Sequence, residues 1–229
     1  MKPRTPTLIA LIGLVLLGVV LALLWSGPGD RQRVVEDLPW DVTVLPDGGS
    51  QVFGWTLGRS SLKNVSDDLG AIPEVALFVE PGGSASAEAY FGRVRLGLFD
   101  ARLVAKLAIE PEALAAMAGR GLKSKPMPSG ARRLELDETD LRKAYSSPVS
   151  GLSYVPYARY DAALVEQRFG AADERIGLSE TAEYWLYPQR GLAILLDDDG
   201  RDVLEYVEPR HFAALRSRVL RSAESIATD

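Results

Sequence analysis

Ser61-Leu-Lys-Asn-Val65-Ser-Asp-Asp-Leu69-Gly70 and Asp161-Ala-Ala-Leu-Val165-Glu-Gln-Arg-Phe169-Gly170 stand 100 residues apart and align position by position. Each opens on a residue whose side-chain oxygen can accept from a free backbone N–H at a helix start. Each closes on a glycine, the residue that most readily takes the positive φ ending a helix. Val65 and Leu69, like Val165 and Phe169, are four apart and line one face of a short helix. The pairing predicts two helices of like design.

The segments after the two helices are alike too. Residues 74–80, 87–96 and 101–109 read as strands after the first, and 183–187, 191–196 and 202–207 after the second. Asp199-Gly200 supplies the turn of the last hairpin. Each half is therefore expected to be a helix followed by an antiparallel meander. Between them the pattern predicts a helix from Pro111 to Gly119, a loop over 123–130 and a helix over 139–145. A final helix opens at Pro209, a favoured first helical position, and runs to about Ala223.

Upstream, Gly27-Pro28-Gly29-Asp30 and Pro46-Asp47-Gly48-Gly49 read as turns in a connector, with a short strand between them near Thr43. Before it, residues 8–25 read LIALIGLVLLGVVLALLW, 18 positions without a charge behind Met-Lys-Pro-Arg. At ~1.5 Å per residue these span ~27 Å, close to a ~30 Å hydrocarbon core. A cleaved signal peptide has an apolar run of only ~7–15 residues and a small-residue cleavage site. Trp25 instead suits a membrane interface.

The expected fold class is α+β: an N-terminal transmembrane helix, two helix-plus-antiparallel-meander repeats and a C-terminal helix. Residues 1–7 are expected to be a cytoplasmic N-terminus and 8–25 a signal anchor embedded through Leu8, Leu16, Leu24 and Trp25. Residues 26–50 form a connector, 51–130 and 131–208 the two repeats, and 209–229 the last helix. This places a single-pass protein in a bacterial inner membrane with its bulk periplasmic. Abundant Ala, Leu, Gly and Arg, with one Asn, suit a bacterial GC-rich gene.

Of 229 residues 47% are hydrophobic and 25% charged, which excludes a disordered or collagenous chain. With 26 basic against 31 acidic residues the formal charge is −5, and nucleic acid as a partner is not expected. Cysteine is absent and His211 is the only histidine, so no Cys-His pair or multi-histidine metal site can form within one chain. Ser60-Ser-Leu-Lys63 has the Ser-x-x-Lys spacing of a lysine-activated nucleophile, but a helix cap accounts for the serine. Asp197, Asp198, Asp199 and Asp202 could offer oxygens to calcium, yet the spacing fits a solvated hairpin turn. Asn64-Val-Ser66 is formally a glycosylation triplet inside an expected helix. No metal or other cofactor is expected.

Residues 160–207 resemble the small outer-membrane-lipoprotein fold of the SmpA/OmlA (BamE) group. That group has a helix ending in Leu-Gly-x-Pro, a Trp-x-Tyr strand, here Trp185-Leu-Tyr187, and a strand pair around an Asp-x-x-Gly turn, here Asp197 to Gly200. Ala172 stands where the group has proline. Residues 54–109 resemble it more loosely, and the β-lactamase inhibitor protein is a tandem version of a similar unit.

The resemblance implies a noncatalytic unit whose sheet binds another protein. Aromatic anchors are the candidates, because they bury much area with few rotors. These are Trp185 and Tyr187 on one face, with Tyr206, Tyr90 and Phe91; the same rings could instead be core. The expected function is a membrane-anchored protein-binding module, an accessory subunit or assembly factor contacting another envelope or inner-membrane protein. The alternatives are an anchored hydrolase working through paired carboxylates and a periplasmic enzyme inhibitor.

Overall fold

A computed structural model of the chain describes residues 38–226. The two aligned segments are helices α1 (Leu62–Leu69) and α4 (Ala162–Phe169). Ser61 Oγ accepts from Asn64 N–H at 3.2 Å while Asn64 Oδ1 accepts from Ser61 N–H at 2.9 Å, a reciprocal cap. Asp161 Oδ1 accepts from Leu164 N–H at 2.7 Å. Helices α2 (Pro111–Arg120) and α3 (Glu138–Ser146) lie between, tied together where the Arg120 guanidinium grips the buried Asp140 carboxylate at 2.6 and 3.2 Å. After a 3-10 turn at Pro209–His211 comes α5 (Phe212–Ile226).

A short arm of β1 (Thr43–Val44), β2 (Ser50–Val52) and β3 (Trp55–Thr56) forms a three-stranded antiparallel sheet. The main sheet holds β4 (Glu74–Val79), β5 (Ala85–Leu96), β6 (Phe99–Leu107), β7 (Ser124–Pro126) and β8 (Arg132–Glu135). It continues in β9 (Val149–Pro156), β10 (Glu174–Gly177), β11 (Ala182–Tyr187), β12 (Leu192–Asp197) and β13 (Val203–Val207). All ten strands are antiparallel to their neighbours, in the order β10-β11-β12-β13-β9-β6-β5-β4-β8-β7.

The expected fold class is corrected on this point. The two meanders are not separate repeat units, because β9 pairs with β13 along one edge and β6 along the other, closing them into one sheet. The molecule is mostly this large antiparallel sheet with five helices among the described residues. None of those helices is long and apolar enough to cross a membrane. The expected anchor over 8–25, with Leu8, Leu16, Leu24 and Trp25, lies outside the described residues. The transmembrane element and single-pass inner-membrane placement are accordingly set aside. The expected loop over 123–130 instead contains edge strand β7 and its turn into β8.

Residues 38–50, expected as a connector, pack onto the body. The Trp40 ring meets Phe99 and Phe169 edge-on at 5.6 and 6.3 Å. One sheet face, bearing Leu77, Leu103, Leu152, Tyr154, Trp185 and Tyr206, packs with α1 to α4 and the arm into the main core. On the opposite face Leu186 and Ala193 take Phe212, Leu215 and Val219 of α5, with Ile176, Tyr184 and Val207 beside them. At roughly 25 cal/mol per Å² of apolar area, burial on both faces is the main force closing this architecture.

Candidate binding face

Strand pleating assigns each expected site residue to a side. Trp185, Tyr187 and Tyr206 point into the main core at 0%, 3% and 1% exposure, and Phe91 is buried at 7%. Arg175 lies over the Trp185 ring at 3.5 Å, and Trp185 Nε1–H donates to Glu183 at 2.7 Å. Tyr187 donates to the Gly170 carbonyl at 3.0 Å. These rings hold the sheet to its helices. Tyr90 alone of the five is substantially exposed, at 43%.

Tyr90 stands on the other face, directly opposite Val104 of β6, in the half of the sheet beyond α5. Between α5 and these strands runs a trough of about 380 Å³, with Val104, Gly151 and Val207 on its floor and His211, Leu215 and Arg218 on its wall. Gly151 keeps the floor flat, since a Cβ there would sit 2.9 Å from the Tyr206 carbonyl oxygen.

The trough is lined with charge. Arg218 pairs with Glu205, which also accepts from the Tyr184 hydroxyl at 3.3 Å. Burial pushes Tyr184 up to about 12. Glu88, across from Lys106, has its carboxyl raised above the ordinary value by burial, against the pull of Lys106 and Arg218. His211 Nδ1 lies 3.1 Å from the buried Glu208 carboxylate.

Glu88 on β5 and Glu205 on β13 are three interstrand steps and two residues of register apart, about 16 Å between Cα atoms. Their carboxylates both face the trough, where the Glu205 charge adds to the burial that raises Glu88. Lys63 pairs with Asp67, and Ser60 Oγ accepts from Thr56 N–H at 3.0 Å, so the Ser-x-x-Lys spacing does not bring amine and hydroxyl together. Asp197 accepts the Asp199 and Gly200 N–H groups at 3.1 and 2.8 Å, and buried Asp202 accepts Tyr160 N–H at 2.7 Å. Those acids serve the turn, and among the described residues no group of three His, Asp or Glu gathers as a metal site.

Sequence reasoning missed Glu88, Val104 and Lys106. Their signal was present in β6, where Arg102, Val104 and Lys106 alternate with buried Leu103 and Ala105. No protein-family model, curated protein or solved structure matches the chain.

Proposed function

We propose that the chain is a noncatalytic protein-binding module whose partner lies along the trough between α5 and Tyr90. The observation that carries this reading is the asymmetry of the sheet. One face is packed along its length by four helices and the arm, whereas α5 covers the other only over β10–β13. Beside α5 this leaves Tyr90 and Val104 in an open row, walled on one side by a helix. An exposed aromatic beside a concave floor is the usual anchor of a protein interface. The resemblance of residues 160–207 to the SmpA/OmlA group implies the same noncatalytic role.

The test places a photoreactive phenylalanine analogue at position 90 of the chain in its native cells, with position 44 as control, since Val44 is 46% exposed in the arm, on the opposite side of the sheet. One defined protein adduct from position 90, absent from position 44 and lost on Val104→Arg, supports the reading. Equal adducts from both positions, or none from position 90, overturn it.

A further inference from the structure

Strand β5 carries one extra residue between Tyr90 and Gly92: Tyr90 opposes Val104, while Gly92 opposes Leu103 and Arg93 opposes Arg102. Such a bulge re-aims the side chains beyond it. Without it Tyr90 and Arg93 would stand on opposite faces. With it, Arg93 joins Tyr90 on the open side, while Phe91 lies in the core.

The consequence is an unusual register. Arg93 and Arg102 are like charges directly opposite one another, an arrangement that destabilises a sheet unless something offsets it. The offset is partly local. The guanidiniums of Arg93, Arg102 and Arg201 lie 4.9, 5.7 and 5.7 Å from the ring centre of a single tyrosine, Tyr157, itself 40% exposed. Arg201 reaches there from the β12–β13 turn. Asp100 bonds Arg93 and Arg95 at 2.6 and 3.1 Å, and those two arginines hold its carboxyl down to about 2. Arg102 and Arg201 have no carboxylate partner among the described residues, and nearby Asp202 is buried and bonded to backbone N–H groups. The β12–β13 turn that carries Arg201 also holds Asp197, Asp198 and Asp199, so the corner is mixed in charge. What singles it out is two guanidiniums gathered on one exposed ring without a carboxylate partner of their own among the described residues.

We infer that the partner segment on the open face is acidic, and that its carboxylates are taken by Arg102 and Arg201 beside Tyr157 while an apolar residue rests on Tyr90 and Val104. This rests on the protein-binding reading above. Arginine's planar fork suits carboxylate, and a guanidinium stacked on a ring has already lost much of its freedom. Nucleic acid fits less well, because its backbone carries a charge at every step and would meet Glu88 and Glu205 in the trough, whereas a peptide can place carboxylates at Arg102 and Arg201 and uncharged residues beside those acids.

The test is selection of a random dodecapeptide display library on the full-length chain immobilised by a C-terminal tag, repeated with Arg102→Gln/Arg201→Gln. Circular dichroism melting checks that the variant folds, and Arg102→Lys serves as a second, charge-keeping variant. Enrichment of Asp- and Glu-rich peptides with interspersed apolar residues is expected. The double variant should bind them about tenfold or more weakly and Arg102→Lys to an intermediate degree. Acidic peptides that bind the double variant equally well overturn the assignment to this corner. Neutral or basic peptides, or tighter binding of an oligonucleotide than of any peptide, overturn the acidic partner. Neutral or basic peptides lost on Tyr90→Ala leave the protein-binding reading standing, whereas no enrichment at all overturns both.

Discussion

The Tyr206 hydroxyl donates to the Pro39 carbonyl at 2.7 Å, joining residues 167 positions apart at the centre of the core. Its neighbours are less well served: the buried hydroxyls of Tyr154 and Tyr160 lie against each other without a well-formed hydrogen bond, and find no other partner among the described residues. Phe53 stacks on Tyr154 at 5.4 Å and meets Tyr206 edge-on at 5.6 Å, so all three rings share one apolar setting. Removing an unpaired buried hydroxyl relieves a desolvation cost, whereas removing a paired one leaves a carbonyl orphaned. Tyr154→Phe should therefore stabilise by about 1 kcal/mol and Tyr206→Phe destabilise by a similar amount. Urea midpoints of the two variants check the opposite signs.

The same burial fixes behaviour in alkali. Tyr160, Tyr184 and Tyr187 are pushed up from 10.0 to about 12, chiefly by desolvation. A raised folded value means that the native state holds these protons more tightly than the unfolded chain does. The resulting stability is complete below pH 10 and is lost as pH rises toward 12. Tyrosinate absorbance of these buried rings should appear together with loss of far-ultraviolet circular dichroism. Gradual ionisation of all tyrosines well before unfolding would show that the rings are not buried in this way.

Glu88 gives a second pH signature, in the trough itself. Its carboxyl is raised above 4.5, so its contribution is fully present below pH 4.5 and is lost as pH rises through the higher folded value. Glu88→Gln removes that loss. The variant should be more stable than the parent at neutral pH, with the gap closing in acid. A gap that stays constant from pH 4 to pH 8 would locate the desolvated acid elsewhere.

Trp185 and Tyr90 separate packing from binding. Trp185 is fully buried, and truncating such a ring costs about 3–5 kcal/mol. Trp185→Ala should lower the melting temperature steeply and abolish any binding through loss of the fold. Tyr90→Ala, at an exposed site, should change stability by no more than about 0.5 kcal/mol. Partner capture should nonetheless fail with Tyr90→Ala, and calorimetric melting of both variants beside the capture assay distinguishes the two cases.

Much of the sheet was legible because its signals are local. Ser61, Asp161 and Gly70 mark helix ends by their own side chains or lack of one, and the strands from Glu183 to Val207 are short apolar runs set off by turn residues, buried on both faces where α5 covers them. Strand β9 escaped because Val149-Ser-Gly-Leu-Ser-Tyr-Val-Pro156 carries a register shift against Lys106 and Leu107, which breaks period two. With β9 unseen, nothing in the sequence could join the meanders into one sheet. The binding face was hidden for a related reason: the shift at Phe91 exchanges the sides of β5 beyond it, so Arg93 joins Tyr90 on the open face. Aromatic spacing also cannot tell core from surface, since that depends on which face the helices cover.

Two glycines with similar backbone angles allow a final discrimination. Gly70 has φ +60 and Gly191 φ +65, so alanine is strained at both by roughly 1–2 kcal/mol. A Cβ at Gly70 meets nothing within 4 Å, and Gly70→Ala should cost no more than that strain. At Gly191 it would lie 2.0 Å from the Val207 carbonyl oxygen and 3.0 Å from Pro209 N, both backbone. Gly191 also accepts Val207 N–H at 2.8 Å, so the two segments cannot part without losing a bond. The segment displaced, Val207 to Pro209, leads directly into α5. Gly191→Ala should thus cost clearly more than Gly70→Ala in urea unfolding and also weaken partner capture, because the wall of the trough shifts with the helix. Equal costs at the two positions would mean that the close approach of Gly191 to Val207 does not hold in solution.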